Sequence, residues 1–343
     1  YGDANPAFSY SLSGFVNGEN ISTSDVTGQP SLTTTAPALS PVDLYDIFVT
    51  KGTLSSSNYD FEMVGATLLV RKALLTITAD DKTKNYGASN PALTASYTGF
   101  VNGETLATSG LIGNIQLSTT STAGSNTGVY PITVVQGTLA SANYSFAFVN
   151  GKLTVGKSVI TVTADNKGKV YGDANPAFTA QMSGFAQGET FATSGVTGQF
   201  SVTSPATASS GAGTYPIDVS QGTLASDNYQ FSFVNGTLTV NKAVITVTAE
   251  NKQRKYGEAN PTFSALYSGF RNGETLATSG LSGDPAYVTT AVSNSAPGIY
   301  PITVSLGALL SDNYSFQFVG GSISVSKSTL VVTAENKSRS YGQ

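Results

Sequence analysis

The sequence predicts a mostly β fold built from tandem modules, each with several short strands and one short helix. A Tyr-Gly pair recurs every 85 residues, at Tyr1, Tyr86, Tyr171, Tyr256 and Tyr341. Short stretches of alternating apolar and polar residues fill each interval, which is the period of strands with one buried face. An 85-residue interval exceeds the usual repeat length of solenoids, so each module is expected to close a core of its own.

Because the interval does not drift, module boundaries follow from it. We predict a repeat lacking its first strand at 1–71, complete repeats at 72–156, 157–241 and 242–326, and the first strand of a following repeat at 327–343. Such boundaries indicate a segment of a longer chain. About two residues, such as Asn241-Lys242, separate successive modules, whereas a flexible tether needs many more. The sequence therefore predicts an elongated, stiff rod.

Composition excludes several functional classes. The 343 residues carry a net charge of −4 and only 11% charged residues, without the basic stripe that nucleic-acid binding requires. No apolar run reaches the length of a membrane span. The chain has no Cys and no His, so disulfides, thiolate metal sites and the usual general base are absent. We therefore expect a protein that is not an enzyme, with no catalytic, cofactor-binding or metal-binding residues and no cofactor.

The first elements are clearest in the copy at 157–241. Ser158–Ala164 alternates as a strand with one apolar face. The turn-forming residues 165–168 are expected to end it. Pro176 holds the chain extended before a second strand at Phe178–Phe185.

Gly188–Ser194 breaks the alternation and predicts the short helix of the module. Phe191 is expected to anchor this helix in the core, and Gly195 to cap its C-terminus. Glu189 would then lie in the first turn, where a carboxylate complements the helix dipole.

The second half of the module predicts three more strands, mostly in antiparallel hairpins. Tyr215–Val219 forms the first of them, and Pro216 indicates that its start lies at a sheet edge. Tyr229–Phe233 alternates as the next strand. The dipeptide Asn235-Gly236 predicts a tight hairpin that returns the chain into Thr237–Val240.

Several motifs recur together at fixed spacing. Y-G-x-x-N-P, at Tyr86–Pro91, Tyr171–Pro176 and Tyr256–Pro261, is followed by G-F-x-x-G-E-T, Y-P-I and N-Y-x-F. With this combination the whole chain resembles tandem MBG repeats of the YGX type. The resemblance implies β-grasp-like modules in a large, adhesin-like bacterial surface protein, and it supplies no catalytic residues. An immunoglobulin-like β-sandwich is the alternative fold, and the helix at Gly188–Ser194 decides between the two.

Recurring aromatic residues have two interpretations. Tyr86, Tyr171 and Tyr256, with Phe231 and Phe233, could form a stacking platform for sugars. Because they recur beside fixed turns, packing in the core or against a turn is the expected role.

Recurring charged residues also have two interpretations. Carboxylates near the module junctions could bind calcium, but calcium needs about six to eight oxygen ligands, so solvated strand ends are expected; these residues are Asp80, Asp81, Asp165, Glu250 and Glu335. An isopeptide crosslink, catalysed by an acid such as Glu189, would need a lysine and an asparagine buried with that acid. The lysines are Lys82, Lys167, Lys252 and Lys337, and the asparagines are Asn58, Asn143, Asn228 and Asn313.

The sequence predicts a non-enzymatic structural stalk or filament segment of a giant bacterial cell-surface or secreted adhesin, projecting a distal binding region. The alternative is that the repeats themselves bind glycan, mucin or another cell surface. The segments that differ most between copies are the first place to look for such a site: Gln29–Leu44, Asn114–Val129, Gln199–Thr214 and Asp284–Ile299.

Partners and location follow from the same prediction. Neighbouring repeats of the chain are the expected partners. Lateral or head-to-tail self-association and a host or cell-surface glycan stay open. Neither nucleic acid nor a membrane span in this segment is expected, and the expected location is extracellular, at the bacterial cell surface.

Overall fold

The fold is described from a computed structural model, which describes residues 1–339 and 341–342. The chain divides into two compact units. Unit 1 contains Tyr1–Ser158, Phe185–Gly195 and Asp227–Tyr229, and unit 2 contains Val159–Gly184, Val196–Ser226 and Gln230–Gln343. The units do not coincide with the sequence repeats, because three short pieces of the third repeat, at 157–158, 185–195 and 227–229, belong to unit 1.

Unit 1 holds the strands of the first two repeats. They are β1 (Ser31–Thr34), β2 (Leu44–Thr50), β3 (Ala66–Leu69), β4 (Ala73–Ala79), β5 (Lys82–Asn85), β6 (Ala95–Thr98), β7 (Gln116–Thr119), β8 (Gly128–Val135), β9 (Tyr144–Val149) and β10 (Gly151–Gly156). They form sheets of order β1-β2-β3, β6-β4-β9 and β5-β10-β8-β7.

The strands of the next two repeats lie mainly in unit 2. They are β11 (Ser158–Ala164), β12 (Lys167–Val170), β13 (Ala180–Ser183), β14 (Ser201–Thr203), β15 (Gly213–Ser220), β16 (Tyr229–Val234), β17 (Gly236–Asn241), β18 (Ala243–Ala249), β19 (Lys252–Lys255), β20 (Ala265–Ser268), β21 (Ala286–Thr289), β22 (Gly298–Ser305), β23 (Tyr314–Val319) and β24 (Gly321–Ser326). Their sheets have the orders β13-β11-β16, β12-β17-β15-β14, β20-β18-β23 and β19-β24-β22-β21.

Each complete repeat therefore pairs a three-stranded with a four-stranded sheet, and the core lies between them. In the second repeat Ile77 of β4 packs with Ile132 of β8 and Leu153 of β10, all fully buried. Alternate residues of these strands face the core because side chains alternate across a pleated strand. The mostly β prediction and the strand Ser158–Ala164 are confirmed.

The predicted helix at Gly188–Ser194 is absent, and the described residues contain only a three-residue 3-10 turn at Ala186–Gly188. Gln187 (φ 53°) and Gly188 (φ 75°) both have left-handed backbones, which stop a right-handed helix at its start. Phe191 is 42% exposed, so its predicted role as a core anchor is wrong. The helix expected of a β-grasp module is therefore missing.

The predicted hairpin at Asn235-Gly236 is also wrong. Strands β16 and β17 belong to different sheets, so the chain crosses there from one sheet to the other. Gly236 has no positive φ and lies against the main chain of Ala164, where a Cβ would approach the carbonyl oxygen to 2.8 Å. Gly236 thus allows two segments of the main chain to approach closely, and the Asn-Gly pair does not form a tight turn.

Most strand pairs are antiparallel, as the sequence predicts, but parallel pairs occur beside them. Strand β4 pairs in parallel with β9, and β10 pairs in parallel with β5. An immunoglobulin-like sandwich has two antiparallel sheets, so the two facing sheets of this repeat resemble that alternative in layering and differ from it in pairing.

The predicted turn at 165–168 and the predicted position of Pro216 at a sheet edge are each only partly correct. Lys167 and Gly168, predicted as part of a turn, begin strand β12. Pro216 lies in β15, the second strand from one edge of its sheet, but β14 covers only Asp218–Ser220 of it. On the β14 side, Pro216 therefore has no paired strand residue that would need a hydrogen bond from its nitrogen.

Predicted strands without partners do not form. Residues 328–334 carry no strand, and Leu330 is 88% exposed. In the complete repeats this strand is the centre of the three-stranded sheet, and its neighbours pair only with it. The first repeat contains no counterpart of it, and residues 7–15 and 59–65 there are likewise not strands. Ser340 and Gln343 of the predicted segment 327–343 lie outside the described residues.

Candidate functional site at the repeat joints

A glutamate joins two tyrosines at the point where the second repeat meets the loop of the third, inside unit 1. Tyr86 donates a hydrogen bond of 2.7 Å to Oε1 of Glu189, and Tyr229 donates one of 2.5 Å to Oε2. Both bonds end on a carboxylate, and such charge-assisted bonds are stronger than neutral ones. We call this arrangement a joint triad.

The same triad recurs twice, each time within a single unit. In unit 1, Glu104 accepts bonds of 2.5 Å from Tyr1 and Tyr144. In unit 2, Glu274 accepts bonds of 2.6 Å from Tyr171 and Tyr314. Glu189, which was predicted to complement a helix dipole, and its counterparts Glu104 and Glu274 therefore bind the tyrosines of the Tyr-Gly and Asn-Tyr motifs.

Aromatic packing and one backbone bond complete the triad. The rings of Tyr86 and Tyr229 meet edge to face at 5.4 Å, and Phe185 packs against Tyr229 in the same manner at 6.1 Å. The Tyr229 hydroxyl also accepts a 2.8 Å bond from the amide of Ala186. Tyr229 is 1% exposed, and its hydroxyl is used as both donor and acceptor, as a buried phenol requires.

The glycine of the Tyr-Gly pair is explained by the same joint. A Cβ on Gly87 would lie 2.2 Å from Cβ of Ala186, and a Cβ on Gly172 would lie 2.4 Å from Cβ of Arg271. Both glycines also have positive φ. Only glycine satisfies the close approach and the left-handed backbone together.

An asparagine bridges each joint at a second point. The Asn228 Oδ1 accepts a 3.0 Å bond from the Thr127 amide, and the Asn313 Oδ1 accepts a 2.9 Å bond from the Ala212 amide. These asparagines directly precede the buried tyrosines of the triads, and each adds a polar link across the joint to the one from the tyrosine of the Tyr-Gly pair.

The buried tyrosines make the joints sensitive to alkali. Burial, and next the hydrogen bond to Glu189, raise the pKa of Tyr229 to about 12; burial and Glu274 do the same for Tyr314. An unfolded tyrosine titrates near pH 10. Because folding favours the neutral phenol, this stabilisation is complete below about pH 10 and is lost as the pH rises towards about 12.

We therefore expect the urea midpoint of the chain to fall between about pH 9 and pH 11.5. Tyr229→Phe should have a lower midpoint at pH 9 and a smaller fall on going to alkaline pH. An equal fall in the variant and the parent would contradict this origin of the pH dependence.

Buried cations hold the turn that carries the Tyr-Gly pair. Lys84, Lys169 and Arg254 are each less than 10% exposed. The Lys169 Nζ donates to the carbonyl oxygens of Asp173 (3.1 Å) and Thr207 (2.6 Å). Each cation thereby ties the turn to the segment that varies between copies. Sequence reasoning missed this role, although a basic residue two positions before each Tyr-Gly pair from Tyr86 onwards was a visible signal.

The alternative role of the recurring aromatic residues, a stacking platform for sugars, is not available to the buried tyrosines. Tyr86 and Tyr171 are buried in joints, which confirms the packing interpretation for them, while Tyr256 is 46% exposed. Phe231 and Phe233 are half-buried strand residues.

The charged residues predicted near junctions form local pairs. Asp165 lies 3.8 Å from Lys167 and accepts a bond from Thr179. Glu250 lies 3.0 Å from Lys252. Within residues 1–339 and 341–342, no three Asp, Glu, His or Cys side chains come together as metal ligands would.

The groups of the crosslink hypothesis have separate partners. In the second repeat, Lys82 bonds to Thr94, Asn143 accepts from the Val42 amide, and Glu104 accepts from tyrosines. In the second repeat these hydrogen bonds therefore join the lysine to neither the asparagine nor the glutamate.

The variable segments contain the outer edge strands β1, β7, β14 and β21 of their sheets. Their following loops are fixed by the Y-G-x-x-N-P asparagine, since the Asn175 Nδ2 donates a 2.6 Å bond to the Ala206 carbonyl. A cleft of about 520 Å³ lies elsewhere, in unit 1, between Tyr1, Leu69 and Arg71. The described part of the chain contains no helix with the length and hydrophobicity of a membrane span.

The chain was compared with protein families, curated proteins and solved structures. A family model described as MBG domain (YGX type) matches residues 1–69, 75–154, 160–239 and 245–324. No curated protein matches the chain. Among solved structures, Drosophila N-cadherin EC1-3 is 10% identical, with 59% of this chain and 78% of that chain covered and a TM-score of 0.16.

A second structure contains the M60 catalytic domain with the CBM51-1 and CBM51-2 domains of Clostridium perfringens ZmpB. It is 8% identical, with a TM-score of 0.16. The alignment covers 93% of this chain and 40% of that one. TM-scores this low carry no argument about fold or function.

Proposed function

This chain belongs to the MBG domain family of YGX type, and from that membership we propose that it is a non-enzymatic stalk or filament segment of a bacterial cell-surface or secreted adhesin. Its role would be to hold a distal binding region away from the cell. The observation that supports this role is the joint triad, which recurs with the same residues at three successive joints.

The triad suits a load-bearing joint for a physical reason. A swinging joint would separate the rings of Tyr86 and Tyr229 and break the hydrogen bond from Tyr86 to Glu189, and a bond to a charged group contributes about 1.5–3 kcal/mol. A joint made from two exposed residues would offer no such resistance. We therefore propose that each joint resists bending and that this stiffness serves the stalk role.

Small-angle scattering of the whole chain tests the proposal. We expect one narrow distribution of dimensions for the parent chain. Replacing the three triad glutamates by alanine, at Glu104, Glu189 and Glu274, should broaden it and shorten the mean dimension. Glu62→Ala, at an exposed glutamate outside the joints, is the matched control. A parent chain that already behaves as freely hinged beads would overturn the proposal.

The alternative, binding of glycan, mucin or another cell surface by the repeats, has one observation in its favour. An apolar side chain is about half exposed at the same position of every repeat; these are Ile21, Leu106, Phe191 and Leu276. Repeated weak contacts can add to a high avidity. Retention on immobilised mucin that is lost when all four residues are changed to serine would favour this alternative over the stalk.

A further inference from the structure

The sequence contains five Asn-Gly pairs, and the structure divides them into two classes. Asn17, Asn102 and Asn272 lie in exposed turns. Asn150 and Asn235 lie where the chain crosses between sheets, and their glycines begin strands β10 and β17.

The first class has a two-residue turn with left-handed backbones. Asn102 has φ 57° and Gly103 has φ 71°, and the turn is closed by a 3.0 Å bond from the Glu104 amide to the Val101 carbonyl. This bond does not use the Gly103 amide, which lies at the centre of the turn. The turns at Asn17 and Asn272 have the same backbone and the same closing bond.

The second class holds its side-chain amide in place. The Asn235 Oδ1 accepts a 3.0 Å bond from the Val219 amide, and its Nδ2 donates a 2.7 Å bond to Asp218. Gly236 is buried and lies opposite Ile217 in the sheet. The Asn150 Oδ1 similarly accepts a 3.2 Å bond from the Val134 amide.

We propose that Asn17, Asn102 and Asn272 are sites of spontaneous deamidation to aspartate and isoaspartate, and that Asn150 and Asn235 are protected. The main-chain nitrogen of the following glycine attacks Cγ, forming an N–Cγ bond, and the Cγ–Nδ2 bond breaks with loss of ammonia. Water then opens the resulting succinimide at either carbonyl. Glycine favours the attack because it has no Cβ to obstruct the ring closure. Protection follows where Cγ is tethered and the glycine is fixed in a strand.

The modification would act on the joint directly. Glu104, two residues after Asn102, is the acceptor of its joint triad. Isoaspartate adds a methylene to the main chain of a tight turn, which displaces this carboxylate. The hydrogen bond to Glu104 raises the pKa of Tyr1, and hydrogen bonding by the Asn102 side-chain amide partly offsets this rise. A second carboxylate there would place two negative charges at one joint, which is unfavourable.

The test is peptide mass spectrometry of the whole chain, aged at mildly alkaline pH, combined with isoaspartate methyltransferase labelling. We expect the three turn asparagines to convert at similar rates, and Asn150 and Asn235 to convert at least about tenfold more slowly, a difference of about 1.4 kcal/mol in activation free energy. Equal rates at all five sites, or conversion of none, would overturn the proposal.

The third repeat supplies a matched control, because Gln187 occupies the equivalent turn position with φ 53°. Gln187→Asn should create a fourth site, and Asn102→Gln should remove one without altering the turn. In the aged parent, hydrogen exchange of the main-chain amides of residues 101–104 should become faster. In aged Asn102→Gln protein it should stay unchanged. The chemistry can thus be tested independently of whether the chain acts as a stalk.

Discussion

Replacing Glu189 by alanine is expected to lower the local free energy of unfolding of its joint by about 2–4 kcal/mol. Two phenols, Tyr86 and Tyr229, lose their acceptor at once. Tyr229 is almost fully buried, so water cannot replace the lost bond without exposing the ring. The cost is that of an unsatisfied buried donor and not only that of a missing bond.

Hydrogen exchange is the appropriate measurement, since a chain of several modules need not unfold in one step. The Ala186 amide, which donates to the Tyr229 hydroxyl, should lose protection. Glu19→Ala supplies a graded control, because within the described residues Glu19 accepts from one tyrosine, Tyr59, at 2.7 Å. Its effect should be about half as large. Unchanged protection of Ala186 in Glu189→Ala would refute the role of the triad.

Replacing Lys169 by alanine should destabilise the third repeat by about 2–4 kcal/mol. The change leaves the Asp173 and Thr207 carbonyls without their donor. It also releases the turn that carries Tyr171 from the variable segment, so the effect should reach the joint of Tyr171 and Glu274.

The conservative change Lys169→Arg is expected to stabilise the repeat instead, by about 0.5–1.5 kcal/mol. The Asn175 Oδ1 is buried without a partner. In the fourth repeat, where arginine replaces lysine, the Arg254 Nε donates a 2.8 Å bond to the Asn260 Oδ1. A planar guanidinium can donate in several directions, which an ammonium cannot match at this site.

Both changes are tested by measuring how well the Leu238 amide is protected from hydrogen exchange as the denaturant concentration increases. The reverse substitution, Arg254→Lys, should cost about what Lys169→Arg gains. If Lys169→Arg is as destabilising as Lys169→Ala, then crowding and not hydrogen bonding governs the site.

Local regularity made much of the fold predictable. The period-two pattern of Ser158–Ala164 identifies a strand because its buried and exposed faces alternate within seven residues. The prediction of a helix at Gly188–Ser194 failed because Gln187 and Gly188 adopt left-handed backbones, which a glutamine side chain does not prefer.

Pairing and the joints were not predictable in this way. Asn235-Gly236 has the composition of a hairpin, yet its flanking strands find their partners far along the chain. The Glu189 carboxylate meets Tyr86, 103 residues earlier in the sequence. A local sequence pattern does not reveal a contact between residues so far apart. The recurrence of Tyr, Gly and Glu in each copy indicates only that these residues have a shared role.

The amino-acid sequence alone determined the 85-residue period, the β class and the family, because each depends on patterns within or between neighbouring segments. Only the tertiary structure decided which strands pair, that the sheets contain parallel pairs, and that the repeated Tyr and Glu residues meet at joints. Those outcomes depend on which distant surfaces can be buried together, and burial is a property of the whole arrangement and not of any one segment.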